Sequence, residues 1–138
     1  MTIEIKFIKA EDCYDIRRRV LRHGTNDKFL YIWDSQHVGD SFHLGAYMGN
    51  QLAGIASFYE EYLVGIYGKG WRLRGIGVEQ GYQGMRIGNQ ILEAGIAEIA
   101  RRGGKYLWCN SRIEVQNFYI KNGFKFCSEE FMMPRIGK

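Results

Sequence analysis

The sequence predicts one mixed α/β domain over residues 1–138, with a central mixed sheet of about six strands and helices on both faces. Three observations lead there. Alternating apolar stretches come first and follow one another closely. Helical periods then separate the later, shorter apolar runs, and glycine or asparagine marks nearly every boundary. With 138 residues, 46% hydrophobic, 25% charged and a single proline, the chain has the make-up of one globular domain.

The elements follow in order. Ile3, Ile5 and Phe7 alternate with polar residues and make a first strand. Glu11-Asp12 opens a helix in which Tyr14, Ile16, Val20 and Leu21 share a face, with acid at the positive end of the dipole. Gly24-Thr25-Asn26 ends it, and Asn26–Asp40 reads as irregular or as a short second helix. Phe42–Tyr47 and Leu52–Tyr59 are two strands joined at Gly49-Asn50, residues that both accept positive φ. After the glycine-rich loop Gly65–Gly70 comes a strand from Trp71 to Val78. Ile87, Ile91, Leu92, Ile96 and Ile99 then recur at helical spacing until Gly103-Gly104. Tyr106–Cys109 is a short apolar strand, Val115–Lys121 a helix closed by Asn122-Gly123, and Phe124–Cys127 another strand. A helix lies between strands Trp71–Val78 and Tyr106–Cys109, which predicts that this pair is parallel.

The net charge of +4 suits an anionic ligand, and a mildly basic surface accounts for it equally well. Its location says more: Lys69, Arg72, Arg74, Arg86, Arg101, Arg102, Lys105 and Arg112 crowd the second half. No basic motif interleaved with stacking aromatics accompanies them, so nucleic acid is not an expected partner. Cys13, Cys109 and Cys127 are scattered and odd in number, and His23, His37 and His43 lack ligand spacing. Neither a disulfide framework nor a metal site is expected, and a reducing cytoplasm is. No run approaches the roughly 20 apolar residues of a membrane helix.

The chemistry is concentrated in Arg74-Gly75-Ile76-Gly77-Val78-Glu79-Gln80-Gly81-Tyr82-Gln83-Gly84-Met85-Arg86-Ile87-Gly88-Asn89. A strand feeds through a glycine-bearing turn straight into a helix. Such a turn gathers unpaired N–H groups at the positive end of a helix dipole and makes a concavity for an anion such as pyrophosphate. No Gly-Lys-Ser/Thr follows, which excludes the nucleotide-triphosphate loop. The dinucleotide fingerprint also fails, because Gln80 stands where its third glycine belongs.

Gln83-Gly84-Met85-Arg86-Ile87-Gly88 resembles the pyrophosphate loop of the GNAT acetyltransferases, Arg/Gln-x-x-Gly-x-Gly/Ala. Downstream, Asn117-Phe118-Tyr119-Ile120-Lys121-Asn122-Gly123-Phe124 is similar to that family's second signature, an aromatic-Tyr-x-x-x-Gly-Phe segment. The two lie in the usual order and separation, and the resemblance extends over nearly the whole chain. It implies a mostly antiparallel sheet and transfer of acetyl from acetyl-coenzyme A to a primary amine by direct attack. A catalytically weak acyl-coenzyme A sensor of the same fold is the alternative. Backbone groups of Ile76, Gly77 and Val78 would pair with the pantetheine arm, those of Gln83, Gly84, Met85, Arg86, Ile87, Gly88 and Asn89 would hold the pyrophosphate, and Asn110 and Asn117 would contact the coenzyme. The N–H near Ile76 would polarise the thioester carbonyl. Tyr119 would act as general acid toward the departing thiolate, a role a phenol can fill at neutral pH. Tyr119 also has a reading as a core residue of an amphipathic helix beside Phe118.

Three positions depart from the family pattern. Arg86 stands where glycine is usual, Arg112 where an asparagine often precedes the tyrosine by seven residues, and Arg72 where some members carry a basic glutamate. A general base must then come from Glu60, Glu61, Glu79, His43 or water. The segment Phe29–Asp34, with Tyr59, Glu60, Glu61 and Tyr62, suggests an aromatic and acidic pocket suited to a cationic amine. The chain also ends where relatives often continue into a last strand. The sheet therefore reads as one strand short, and an uncovered edge points toward a homodimer.

Overall fold

A computed structural model describes residues 2–21, 33–111, 115–127, 130–133 and 136. Its strands are β1 (Ile3–Ile8), β2 (Ser41–Met48), β3 (Gln51–Glu60), β4 (Gly70–Val78), β5 (Tyr106–Cys109), β6 (Lys125–Cys127) and β7 (Glu130–Met133). They form one sheet in the order β1-β2-β3-β4-β5-β7-β6. Neighbours are antiparallel except β4 and β5, which run parallel as their intervening helix predicts. The β2–β3 turn is Gly49-Asn50, with Gly49 at φ +61°.

The sheet has seven strands, one more than expected. Glu130–Met133 inserts between β5 and β6, pairing Met132 with Trp108 on one side and Phe131 with Phe126 on the other. Its apolar run, Phe131-Met132-Met133, follows the preceding strand with no glycine or asparagine turn between them, which hid it in the sequence. The strand thought missing is present, so the argument for a partner-covered edge, and for the homodimer drawn from it, loses its premise.

β2 and β3 are buried along almost their whole length because both faces of the sheet are covered. On one face lies the long helix. The label α1 is given to Tyr14–Ile16, α2 to Ile87–Arg101 and α3 to Gln116–Lys121. Ile87, Ile91, Leu92 and Ile99 of α2 meet Phe42, Leu44, Phe58, Trp71 and Leu73 of the sheet in one buried core. Each such side chain contributes about 1.5–3 kcal/mol on leaving water. Gly103, at φ +83°, ends α2: its N–H bonds to Ala100 O and that of Gly104 to Ile99 O. Gly123 ends α3 in the same way, through Ile120 O and Tyr119 O. Within α2, Gly95 sits directly over Phe58, where a Cβ would lie 2.2 Å from the ring. The glycine sets how close helix and sheet come.

On the other face the predicted single helix is a composite. A 3-10 turn, Ala10–Cys13, passes into α1 and then into a π-turn, Arg17–Leu21. Ile16 is buried as expected; Cys13 is buried too, and so is Arg17, at 1% exposed. Its guanidinium explains why. Nη1 donates to Asp34 Oδ2 at 2.8 Å, and Nη2 donates to Ser57 Oγ at 2.7 Å and Tyr59 Oη at 3.3 Å. Tyr59 Oη donates in turn to Asp34 Oδ1 at 2.6 Å, and the His43 ring meets Ser57 Oγ at 2.8 Å. A buried charge is tolerable only when paired and hydrogen-bonded, and breaking such a pair costs about 3–5 kcal/mol. Residues 33–36 are helical and carry Asp34 into this network; Gly24–Asn26 and the rest of 22–32 lie outside the described residues.

Two predictions follow from these contacts. Gly95→Ala gains about 1 kcal/mol of helix propensity and meets an overpacking cost of about 1–3 kcal/mol against Phe58. A lower urea midpoint is expected, with part of the loss recovered by adding Phe58→Leu; an unchanged midpoint would remove the contact as a constraint. Second, burial holds the His43 imidazole below its ordinary value of 6.5, against the pull of Asp34 and with the push of Arg17. The unfolded chain therefore takes up this proton first, so stability is full above pH 6.5 and declines as pH falls below it. Thermal midpoints at pH 7.5 and 5.5 should show that decline, and His43→Gln should shrink it. Equal declines in both proteins would rule His43 out as the cause.

Candidate functional site

β4 and β5 pair at only three positions, Gly70↔Tyr106, Trp71↔Leu107 and Arg72↔Trp108. β4 then runs on to Val78 while β5 ends at Cys109. The strands part, and the gap opens into a cavity of about 640 Å³. Residues 73–78 present a backbone edge to it rather than to a neighbouring strand. β4 also bulges here. Ile55 faces Gly77 but Ser57 faces Arg74, so three steps on β4 oppose two on β3. Gly75 carries the bulge at φ +70°, and a Cβ there would lie 2.9 Å from the Trp33 ring. Glycine meets both demands.

At one end of the cavity β4 passes through a 3-10 turn, Gln80–Tyr82, into α2. Gly84 at φ +84° and Arg86 at φ +61° are both left-handed, and Arg86 is the one non-glycine residue with positive φ among the described residues. The family's glycine at that position thus has a conformational reason, and arginine there is strained by about 1–2 kcal/mol. The helical ladder begins with the bond from Gln90 N–H to Arg86 O at 3.1 Å. The N–H groups of Ile87, Gly88 and Asn89 precede it and have no helical acceptor. At Gly88 a Cβ would touch Phe118 at 3.4 Å, an ordinary contact, in keeping with the alanine that the family pattern also admits.

Across the gap stands Tyr119 of α3, next to Phe118, which faces Gly88 of α2. It is buried among Phe118, Phe124 and Phe131 and also lines the cavity, so both readings of its spacing describe it. Its hydroxyl is in hydrogen-bond contact with the Cys109 thiol, which burial pushes up to about 12. Cys109 therefore stays protonated and is no nucleophile.

Of the residues singled out in the sequence, Ile76, Gly77, Val78, Gln83, Gly88, Asn110 and Tyr119 line this cavity together. Gly84, Met85 and Arg86 are exposed on the loop, the Ile87 side chain is in the core, and Asn89 Nδ2 donates to Asn122 Oδ1 at 3.1 Å. Asn117 is exposed on α3 and is not among the lining residues. Arg112 lies outside the described residues.

None of the four candidate bases lines the cavity. Glu79 is held by Arg19, including a 2.6 Å bond from Nη1 to Oε1, and this pairing holds its carboxyl below the usual range, making it a weaker base. Glu60 accepts from Asp40 N–H, and His43 belongs to the buried network. Glu61 accepts from Arg72 Nη1 at 2.9 Å and lies 3.8 Å from Arg74 Nη2. The expected acidic pocket is thereby corrected. Glu61 braces two arginines, Asp34 and Tyr59 face Arg17, Tyr62 is exposed, and residues 29–32 lie outside the described residues.

The lining residues that the sequence did not mark for a site include Val20, Leu21, Leu73, Ser111 and Val115. The two-residue period of β4 puts Arg72 and Arg74 on one face, a signal that was available. Gly77 admits Leu21 and Val20 to within 3.3 and 3.5 Å of its missing Cβ, which no local pattern discloses.

The comparisons with known proteins agree with this architecture. The domain described as "Acetyltransferase (GNAT) domain" matches residues 29–136. The uncharacterized N-acetyltransferase YitI of Bacillus subtilis (strain 168) is 35% identical over 137 residues, covering 98% of this chain and 91% of that protein. Among solved structures, a GNAT family acetyltransferase from Brucella melitensis in complex with acetyl-CoA superposes with TM-score 0.76 at 18% identity, covering 96% of this chain and 88% of that one. The GNAT family N-acetyltransferase YhbS of Escherichia coli, in complex with CoA, gives TM-score 0.77 at 13% identity, with 96% and 81% covered. A parted parallel pair of strands beside a left-handed loop at a helix start, together with a match over most of its length, establishes that the chain belongs to the GNAT family of acetyltransferases.

Proposed function

We propose that residues 1–138 act as a single domain transferring acetyl from acetyl-coenzyme A to a primary amine, by direct attack of the amine on the thioester. The observation that carries this reading is the stretch of β4 that runs past the end of β5 along a cavity lined also by Gln83, Gly88 and Tyr119. A β-strand edge is a ready partner for an extended chain bearing amides, which is what a pantetheine arm is. Ile76 and Val78 would offer it backbone groups. The N–H groups of residues 83–89 would hold the pyrophosphate at the positive end of α2. Bound acetyl-coenzyme A supplies the activated acyl group. The Ile76 N–H, beside the bulge, would polarise the carbonyl, and Tyr119 Oη would pass its proton to the departing sulfur. The proton lost by the amine goes to water, since no candidate base lines the cavity.

The position of Glu60, Glu61, Glu79 and His43 away from the cavity also supports a second reading, a weakly catalytic acyl-coenzyme A sensor. Calorimetric binding of acetyl-coenzyme A without coenzyme release over a broad amine panel would select it. A cytoplasmic location is part of the proposal, supported by three free thiols, Cys13, Cys109 and Cys127. Among the described residues no helix is long and apolar enough to cross a membrane.

Tyr119→Phe should keep coenzyme affinity, because the aromatic cluster is preserved, and lower turnover by about ten-fold or more. Full turnover in that variant would take Tyr119 out of the chemistry. Arg86→Gly should relieve the left-handed strain of about 1–2 kcal/mol, offset by about 0.5–1 kcal/mol of extra unfolded freedom. Arg86→Ala relieves none of it, so thermal melts should rank the glycine variant above the alanine one. Both variants lose a cation beside the phosphate site, and coenzyme affinity should fall in both and depend less on salt.

A further inference from the structure

The charge of the cavity is one-sided. Among the described residues that line it, the charged ones are Arg72 and Arg74, both cations on the same face of β4. Both are held in place. Arg72 donates to Glu61 Oε2 at 2.9 Å and to Asn110 Oδ1 at 2.6 Å, and its guanidinium lies 4.5 Å from the centre of the Trp108 ring. Arg74 lies 5.4 Å from the centre of the Trp33 ring and 3.8 Å from Glu61. Glu61 itself is not among the lining residues, so it orients the pair from behind. Side chains fixed in this way lose little freedom on meeting a ligand, and guanidinium groups suit carboxylate and phosphate oxygens.

We propose that Arg72 and Arg74 select an acceptor amine that carries an anionic group, a carboxylate or a phosphate, on the same small molecule. The proposal rests on the acetyl-transfer reading above and names its substrate class. The α2 start, where the phosphates of the donor would sit, is the other end of β4. The arginines stand instead where the strands begin to part, beside Trp33 and Asn110. An anionic tail on the arginines leaves the amine to approach the β4 bulge at Gly75, the residue next to Arg74. The same two cations disfavour a protonated amine nearby and so favour its free, nucleophilic form. In a cavity that none of Glu60, Glu61, Glu79 and His43 lines, that is a function a base would otherwise serve.

The test is calorimetry in two stages, with wild type, Arg74→Met, Arg72→Met and Arg74→Lys. Coenzyme A is titrated first. The saturated complex then receives matched amines: β-alanine against β-alaninamide, and 2-aminoethyl phosphate against ethanolamine. In wild type the anionic member of at least one pair should bind about ten-fold tighter or more, the usual scale of a charged hydrogen bond. The responding pair tells carboxylate from phosphate. Arg74→Met should cut the preference below about three-fold, and Arg74→Lys should keep most of it. Equal affinities within both pairs, no binding by any of the four amines, or a preference that survives both methionine variants would each overturn the proposal. So would an Arg74→Met variant that loses coenzyme A and amine affinity in equal measure, since the arginine would then belong to the donor. Failure of coenzyme A to bind wild type overturns the acetyl-transfer reading itself, and the first stage detects that separately.

Discussion

Everything functional in this molecule depends on β4 and β5 ceasing to pair after Arg72 and Trp108. A sheet that stayed zipped would satisfy its backbone and leave no cavity. By parting, the strands expose polar groups that need water or a ligand, a cost of order 1 kcal/mol or more for each group left without either. Several features serve the separation. The bulge at Gly75 turns β4, α3 places Phe118 and Tyr119 across the gap, and Arg72 spans its apex between Glu61, Asn110 and the Trp108 ring. The site is thus made by withholding a ladder, and the side chains around it hold that unpaired edge open.

The two faces of the sheet are built on different principles. Toward α2 the contact is apolar and close, and its spacing is set by the absence of a side chain at Gly95. Toward α1 it is polar and directional, with Arg17 clamping Asp34, Ser57 and Tyr59. The first kind tolerates rearrangement if volume is kept, while the second depends on each partner being present. The ring of Trp33, one residue before Asp34, lies 5.1 Å from the Arg17 guanidinium and also lines the cavity. Buried electrostatics on the α1 face therefore fix one wall of the site.

Much of this was legible in the residues. The first six apolar strand patterns, the Gly49-Asn50 turn and the glycines after α2 and α3 each act within a few neighbours, so local reading found them. The left-handed Arg86 was legible too, as the departure from a glycine position. What escaped was set by tertiary partners. Arg17 reads as a solvent-facing arginine until Asp34 and Ser57 are placed beside it. Glu61 reads as acid facing a ligand until Arg72 and Arg74 cover it, which reverses the sign of the pocket. β7 escaped for a different reason: no glycine or asparagine turn precedes it as Gly103-Gly104 precedes β5 and Asn122-Gly123 precedes β6, and only its two neighbours define it.

The position of β7 also orders the making of the protein. It is the last described strand in the chain and yet lies inside the sheet, between β5 and β6. Synthesis proceeds from the N-terminus, so β1 to β4 can pair antiparallel while the rest is still being made. The outer edge of β5 must wait for residues 131–133 before Leu107, Trp108 and Cys109 gain their antiparallel partners. Until then a run of buried-type residues has an open hydrogen-bonding edge, the condition under which strands pair with the wrong neighbour. The half of the sheet that forms the candidate site is therefore the half completed last, and a nascent chain has its N-terminal strands paired before that gap exists.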